Sequence, residues 1–168
     1  MIKKYWDKYD LEQKEKFKSD LLNIVNNSIN NEENFVKEKL GRVISEIAKR
    51  EWPQKWKELF PFIFESKNKG IYTMQVTLIV LRTLAEDVLV FNDDLSLSRK
   101  KTLKNGFSEN WKNIYSFLVD SILTPHFTNL QQIPLNQRLN KIEAKISSFM
   151  IISALQVFKN ILSWIKLP

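Results

Sequence analysis

Residues 71–91 read IYTMQVTLIVLRTLAEDVLVF. Met74, Val76, Leu78, Ile79, Val80, Leu81, Leu84, Val88 and Leu89 fall nearly all the way round a helix rather than on alternate positions. A helix that is apolar on every side is covered on every side, so it lies in the middle of a packed layer. Lys67-Asn68-Lys69-Gly70 forms a turn before it, and Asn92-Asp93-Asp94 closes it.

Five further helical segments are read around this one. Residues 11–29 carry Phe17, Leu21, Ile24, Val25 and Ser28 at helical spacing, with Asp10 as the N-cap and Asn30-Asn31 as the break. Residues 33–51 place Val36, Leu40, Val43, Ile44 and Ile47 on one stripe and Arg42, Glu46 and Lys49 on another. Acids at its start (Glu32, Glu33) and bases at its end (Lys49, Arg50) suit the helix dipole. Pro53 stops this helix, because the residue before a proline is pushed out of the α region. It also opens a short third helix, residues 53–65, within which Pro61 predicts a kink or an early end. The fifth segment, residues 98–123, buries Leu103, Phe107, Trp111, Ile114, Phe117, Leu118 and Ile122. Residues 124–134, with two prolines and His126, read as a linker. The sixth segment, residues 135–165, carries Leu139, Ile142, Ile146, Phe149, Met150, Ser153 and Val157 on its apolar face. No segment alternates as a half-buried strand would, so the fold class is all-α.

Composition narrows the function. The chain has 168 residues, is 43% hydrophobic and 27% charged, and is long enough to build its own core. It has no cysteine and a single histidine, which removes disulfide scaffolds, thiol nucleophiles and Cys/His metal sites. Three glycines are too few for phosphate loops, Rossmann turns and hairpin sheets. No charge-free apolar run reaches about 18 residues and the N-terminus lacks a signal-peptide core, so an intracellular protein without a membrane span is expected. No cofactor is implied. The net charge of +7 lies wholly in residues 99–168, with ten bases against the acids Glu109, Asp120 and Glu143. Such segregation points to an anionic partner or to a solvated helix face.

The helices pair as 11–51, 53–91 and 98–165. Repeated units of two helices at this scale are the signature of HEAT and armadillo arrays, which stack into an α-solenoid because no pair buries both its faces alone. The alternative, a closed six-helix bundle, would turn polar at its end. Residues 154–165, ALQVFKNILSWI, stay apolar, so the chain reads as about three helix pairs of a longer superhelix.

Residues 47–56, IAKREWPQKW, resemble a K-R/Q-E-W-P-x-x-W junction of the exportin family of karyopherins, the importin-beta-like nuclear transport receptors. Residues 81–91, LRTLAEDVLVF, are similar to the end of the next inner helix in that family. Leu162-Ser163-Trp164-Ile165 resembles the ending of the one after, and Tyr5-Trp6 with residues 11–22 is similar to the preceding outer helix. The details look closest to the exportin-five branch, which carries double-stranded RNA. One departure is Lys57, where a second proline usually follows the second tryptophan.

The resemblance implies a receptor that shuttles between nucleus and cytoplasm and binds Ran·GTP together with an RNA hairpin or protein cargo. Contacts with nucleoporins belong to the same reading. It also implies that the second, fourth and sixth helices line the concave surface. Arg138, Lys141 and Lys145, spaced i, i+3, i+7, then share one face of the sixth helix, as a phosphate or acidic-protein contact or as a solvated stripe. Arg82 and Glu86, with Asp87, either form a structural ion pair or meet basic loops of Ran. Arg42, Glu46 and Lys49 form a second polar stripe open to the same two readings. Arg99, Lys100, Lys101 and Lys104 crowd the first turn of the fifth helix, where cations oppose the dipole. Trp52 and Trp56 are expected to pack at the corner between repeats.

An enzyme is not expected. The only carboxylate cluster, Glu86, Asp87, Asp93 and Asp94, has no His, Cys or glycine loop to support it, and Asp93 and Asp94 suit a turn. The second functional reading is a helical-repeat scaffold for protein–protein contact that needs neither Ran nor RNA.

Overall fold

A computed structural model describes residues 5–27, 33–89 and 95–164. The expected breaks at Asn30-Asn31 and Asn92-Asp93-Asp94, with Ser28, Glu32 and Ile165, lie outside the described residues. The first helix, α1 (Leu11–Asn27), starts from a reciprocal cap. Asp10 Oδ1 accepts from the Gln13 N–H at 2.8 Å, and Gln13 Oε1 accepts from the Asp10 N–H at 3.1 Å. After it come α2 (Asn34–Glu51), α3 (Leu59–Glu65) and α4 (Ile71–Leu89). The second half holds α5 (Leu97–Glu109), α6 (Trp111–Ser116), a π-helical stretch Phe117–Leu123, α7 (Thr124–Gln132) and α8 (Ile142–Leu162). No strand occurs among the described residues. The fold is all-α and HEAT-like.

Helix α4 is central, with α2 packed along one side and α8 along the other. Every residue from 72 to 81 is buried, polar ones included. Thr73, Gln75 and Thr77 among them find hydrogen-bond partners on neighbouring elements. Thr73 Oγ1 donates to the Val25 carbonyl at 3.2 Å, and Thr77 Oγ1 lies 2.9 Å from Ser66 Oγ. Helix α8 is long and apolar enough to cross a membrane by length and composition, but Met150, Ala154, Val157 and Ile161 are packed into the protein core.

Two close approaches set the packing distances. A Cβ at Gly41 of α2 would stand 2.5 Å from Ile79 Cγ2, and Ser45 Oγ reaches the Val80 carbonyl at 3.2 Å. A Cβ at Gly106 of α5 would stand 2.5 Å from Cη2 of Trp52. Trp52 in turn stacks on Phe60 with ring centroids 4.0 Å apart and meets Phe107 edge-on at 5.5 Å. Trp52 and Trp56 are both buried.

Several boundaries differ from the sequence expectation. In α1 the inward face is turned by about one residue, so Lys18 is 1% exposed and Phe17 is 44% exposed. The buried Lys18 ammonium is held by Glu15 at 2.6 Å and faces Glu51 at 3.8 Å, while Glu51 accepts from Trp6 Nε1 at 2.9 Å. The third helix begins at Leu59, not Pro53, so Pro61 falls in a first turn, where a missing N–H costs little. The fifth segment breaks at Asn110 and then continues through the supposed linker to Gln132. Pro125 is tolerated there because the Thr124 N–H bonds five residues back, to the Val119 carbonyl, which widens the helix just ahead of the ring.

His126 is therefore a helix residue. Its Nδ1 lies 3.0 Å from Ser147 Oγ, which also accepts from Asn129 Nδ2 at 2.9 Å, tying α7 to α8. Burial holds the imidazole pKa below its usual 6.5.

Gly41→Ala and Gly106→Ala should each lower the melting free energy by about 1–3 kcal/mol, because a rigid isoleucine or indole must move; unchanged urea midpoints would show that both contacts relax freely. Since folding lowers the His126 pKa, the unfolded chain binds the proton first. The stabilising contribution is complete above the unfolded value and is lost as pH falls below it. Stability measured by urea titration should therefore fall less steeply with acidification in His126→Gln than in the wild type; equal slopes would contradict the burial argument.

Candidate partner-binding surface

Helices α2, α4 and α8 lie side by side, and polar side chains bridge them. Arg82 of α4 donates from Nη2 to Glu38 of α2, at 2.8 Å to Oε1 and 3.1 Å to Oε2. Its Nη1 turns the other way, to Ser153 Oγ at 3.2 Å and Gln156 Oε1 at 3.5 Å on α8. One guanidinium thus spans all three helices, which its planar fork of donors allows. Lys49 makes a second bridge, with Nζ 2.7 Å from Asp87 of α4 and 2.5 Å from Glu46 of its own helix. Lys37 makes a third, donating to Gln75 Oε1 at 2.7 Å.

Beside the first bridge, Arg82, Glu86, Gln156, Lys159 and Asn160 line a cleft of about 290 Å³ between α4 and α8. Glu86 and Lys159 are exposed there and have no ion pair among the described residues. Arg42 is also exposed and unpaired among them, and it lies one turn after Glu38 on the same side of α2. This side of the layer therefore offers separated charges of both signs over a partly neutralised row. Among the described residues no group of three or more His, Cys, Asp or Glu is arranged to hold a metal ion.

The expected site residues divide accordingly. Lys49 and Asp87 come together as a structural pair. Arg82 does not pair with Glu86, its neighbour one turn on, but with Glu38. Glu38 extends the polar stripe at Arg42, Glu46 and Lys49 by one turn towards the N-terminus, and that i−4 spacing was the available signal. Arg138, Lys141 and Lys145 do not share a helix face, because α8 begins at Ile142. Arg138 sits in a turn with Nε donating to the Ile133 carbonyl at 2.9 Å, Lys141 is the extended N-cap, and Lys145 lies in the first turns of α8. Glu143 in the first turn of α8 suits the helix dipole.

Arg99 resolves the crowding of cations on α5. Its guanidinium crosses to the end of α2, donating to the Lys49 carbonyl at 2.6 Å, the Ala48 carbonyl at 3.3 Å, the Trp52 carbonyl, and Gln54 Oε1 at 2.8 Å. A cation that opposes one helix dipole here caps the C-terminus of another. Burial lowers its pKa, and the Glu51 carboxylate acts against that shift.

The family model described as Exportin 1-like protein matches residues 33–168. The chain belongs to that family. It is 25% identical to Exportin-5 of Mus musculus over 170 residues, covering 99% of this chain but 14% of that protein. It is 30% identical to Protein HASTY 1 of Arabidopsis thaliana over 92 residues, or 55% of this chain and 8% of that protein. With Protein EXPORTIN 1A of Arabidopsis thaliana it shares 24% identity over 121 residues, 68% of this chain and 11% of that protein. This exportin-family chain therefore spans about one-seventh of the length of the Exportin-5 it matches.

If Lys49 holds α2 to α4, Lys49→Met should cost about 2 kcal/mol by leaving two carboxylates uncompensated. Adding Asp87→Leu should recover part of that loss. Chemical denaturation of the single and double variants tests this, and additive losses would sink it.

Proposed function

We propose that this chain is part of a nuclear export receptor that binds Ran·GTP and cargo, either structured RNA or protein, while moving between nucleus and cytoplasm. The observation that carries the reading is the match to Exportin 1-like proteins over residues 33–168. In this reading the α2–α4–α8 layer is the contact face. Arg42, Glu86 and Lys159 supply free charges to a partner, whereas Arg82, Lys49 and Asp87 hold the helices that present them. Arg138, Lys141 and Lys145 add positive charge at the α7–α8 connection and the start of α8. The excess of +7 in residues 99–168 supports an anionic cargo. Duplex RNA is recognised through phosphates and shape, so scattered lysines and arginines suffice without base-reading geometry. Nucleoporin contacts and shuttling belong to the same proposal.

The test uses the full-length protein that carries this chain, with a short RNA hairpin and either Ran·GTP or Ran·GDP. RNA binding that requires Ran·GTP is the expected result. Ran·GTP binding without RNA would leave a protein-cargo receptor, and binding to neither would favour a Ran-independent scaffold. Arg42→Glu with Lys159→Glu should weaken hairpin binding and reduce the salt slope by roughly one unit per lost phosphate contact. An unchanged slope would remove these two residues from the contact face.

A further inference from the structure

Helix α8 carries an apolar stripe that stays half open to solvent. Ile152, Leu155 and Leu162 are 56%, 49% and 46% exposed. With Ser148 and Lys159 they follow a spacing of four, three, four and three residues, which keeps all five on one face of the helix. The opposite face of the same helix is anchored in the core by Met150, Ala154, Val157 and Ile161. The stripe also carries charge. Lys159 is exposed on it, and Glu86 of α4 is exposed across the cleft of about 290 Å³ that both residues line. Neither has an ion pair among the described residues. Gln156 and Asn160 complete the cleft, with Gln156 Oε1 3.5 Å from Arg82 Nη1. One acid, one base and three aliphatic side chains thus share a single rigid surface.

We infer that this surface is the contact between two copies of the chain, related by a twofold axis near Lys159. An isologous contact needs a surface complementary to itself, because residue i meets j while j meets i. An uncommitted acid beside an uncommitted base meets that need. The Lys159 ammonium of each copy enters the open cleft of the other and is received there by Glu86. The two α8 helices run antiparallel across the axis, so Leu155 of each packs on Leu162 of the other and Ile152 extends the apolar contact outward. Nucleic acid and an anionic bilayer both present a single sign of charge and would set phosphates against Glu86. Aliphatic side chains also offer no ring on which a base can stack. The inference depends on neither Ran nor the cargo proposed for the α2–α4–α8 layer. A second copy would compete with such a partner for Glu86 and Lys159.

The experiment measures the mass of the full chain in solution over rising concentration, by sedimentation velocity and light scattering. The expected result is a reversible monomer–dimer equilibrium that goes no further, since a twofold contact closes on itself. Glu86→Lys and Lys159→Glu should each weaken the dimer about tenfold or more, by setting like charges against one another. Both substitutions in one chain should restore it, because the exchange again leaves an acid opposite a base. Leu155→Ser with Leu162→Ser should also weaken it about tenfold or more through lost apolar contact. Far-ultraviolet circular dichroism checks that this variant keeps its helices, and the charge exchange decides the matter if it does not. A chain that stays monomeric at every concentration overturns the proposal, as does association into open-ended oligomers. So does a double exchange that fails to recover the dimer lost in the single variants. A monomer that still binds RNA with Ran·GTP would overturn this inference and leave the export reading standing.

Discussion

Ten consecutive residues without a solvent-facing side, 72–81 of α4, impose a requirement that the rest of the chain meets. One neighbouring helix covers about half of a cylinder, so an all-round apolar helix needs covers on opposite flanks. Helix α2 takes one flank and α8 the other, and the outer helices close the back. The side-by-side layer is thus a consequence of a single sequence run. It puts polar side chains of three helices within reach of one another, and the bridges centred on Arg82 and Lys49 depend on that arrangement.

Those bridges change what the charged residues mean. Lys49 is 3% exposed, and at that depth an unpaired ammonium would be costly, so its two carboxylate partners are a condition of its burial. Arg82 acts as a spacer that fixes the separation of α2 and α8 through α4. With these charges committed to structure, Glu86, Lys159 and Arg42 remain as exposed charges on this layer with no ion pair among the described residues. In a family whose members extend far beyond this chain's length, a rigid layer with a few uncommitted charges holds those charges in fixed relative positions.

What the sequence revealed was local. The all-round helix, the end of α2 before Pro53 and the burial of both tryptophans follow from spacing and backbone sterics within a few residues. What stayed hidden depended on distant partners. Pro125 reads as a break until the π-helical stretch before it is known, and His126 reads as a loop residue for the same reason. Residues 135–141 carry an apolar pattern of helical period, yet Leu135 and Leu139 stay exposed among the described residues. Arg99 looks misplaced on α5 because its true role is at the end of α2, and Glu38 was overlooked because its partner lies on another helix. The candidate site was legible as a set of polar stripes but not as pairs.

The contact between Gly106 and Trp52 has a consequence for how such chains diverge. The indole occupies the space that a side chain at 106 would need, so neither position can be judged alone. A homologue with a smaller residue at 52 would be free to carry alanine or serine at 106, while one that keeps tryptophan would be held to glycine. The two positions, far apart in the chain, should therefore covary as a single inherited character, and recombination between sequences that differ at both would yield mismatched corners.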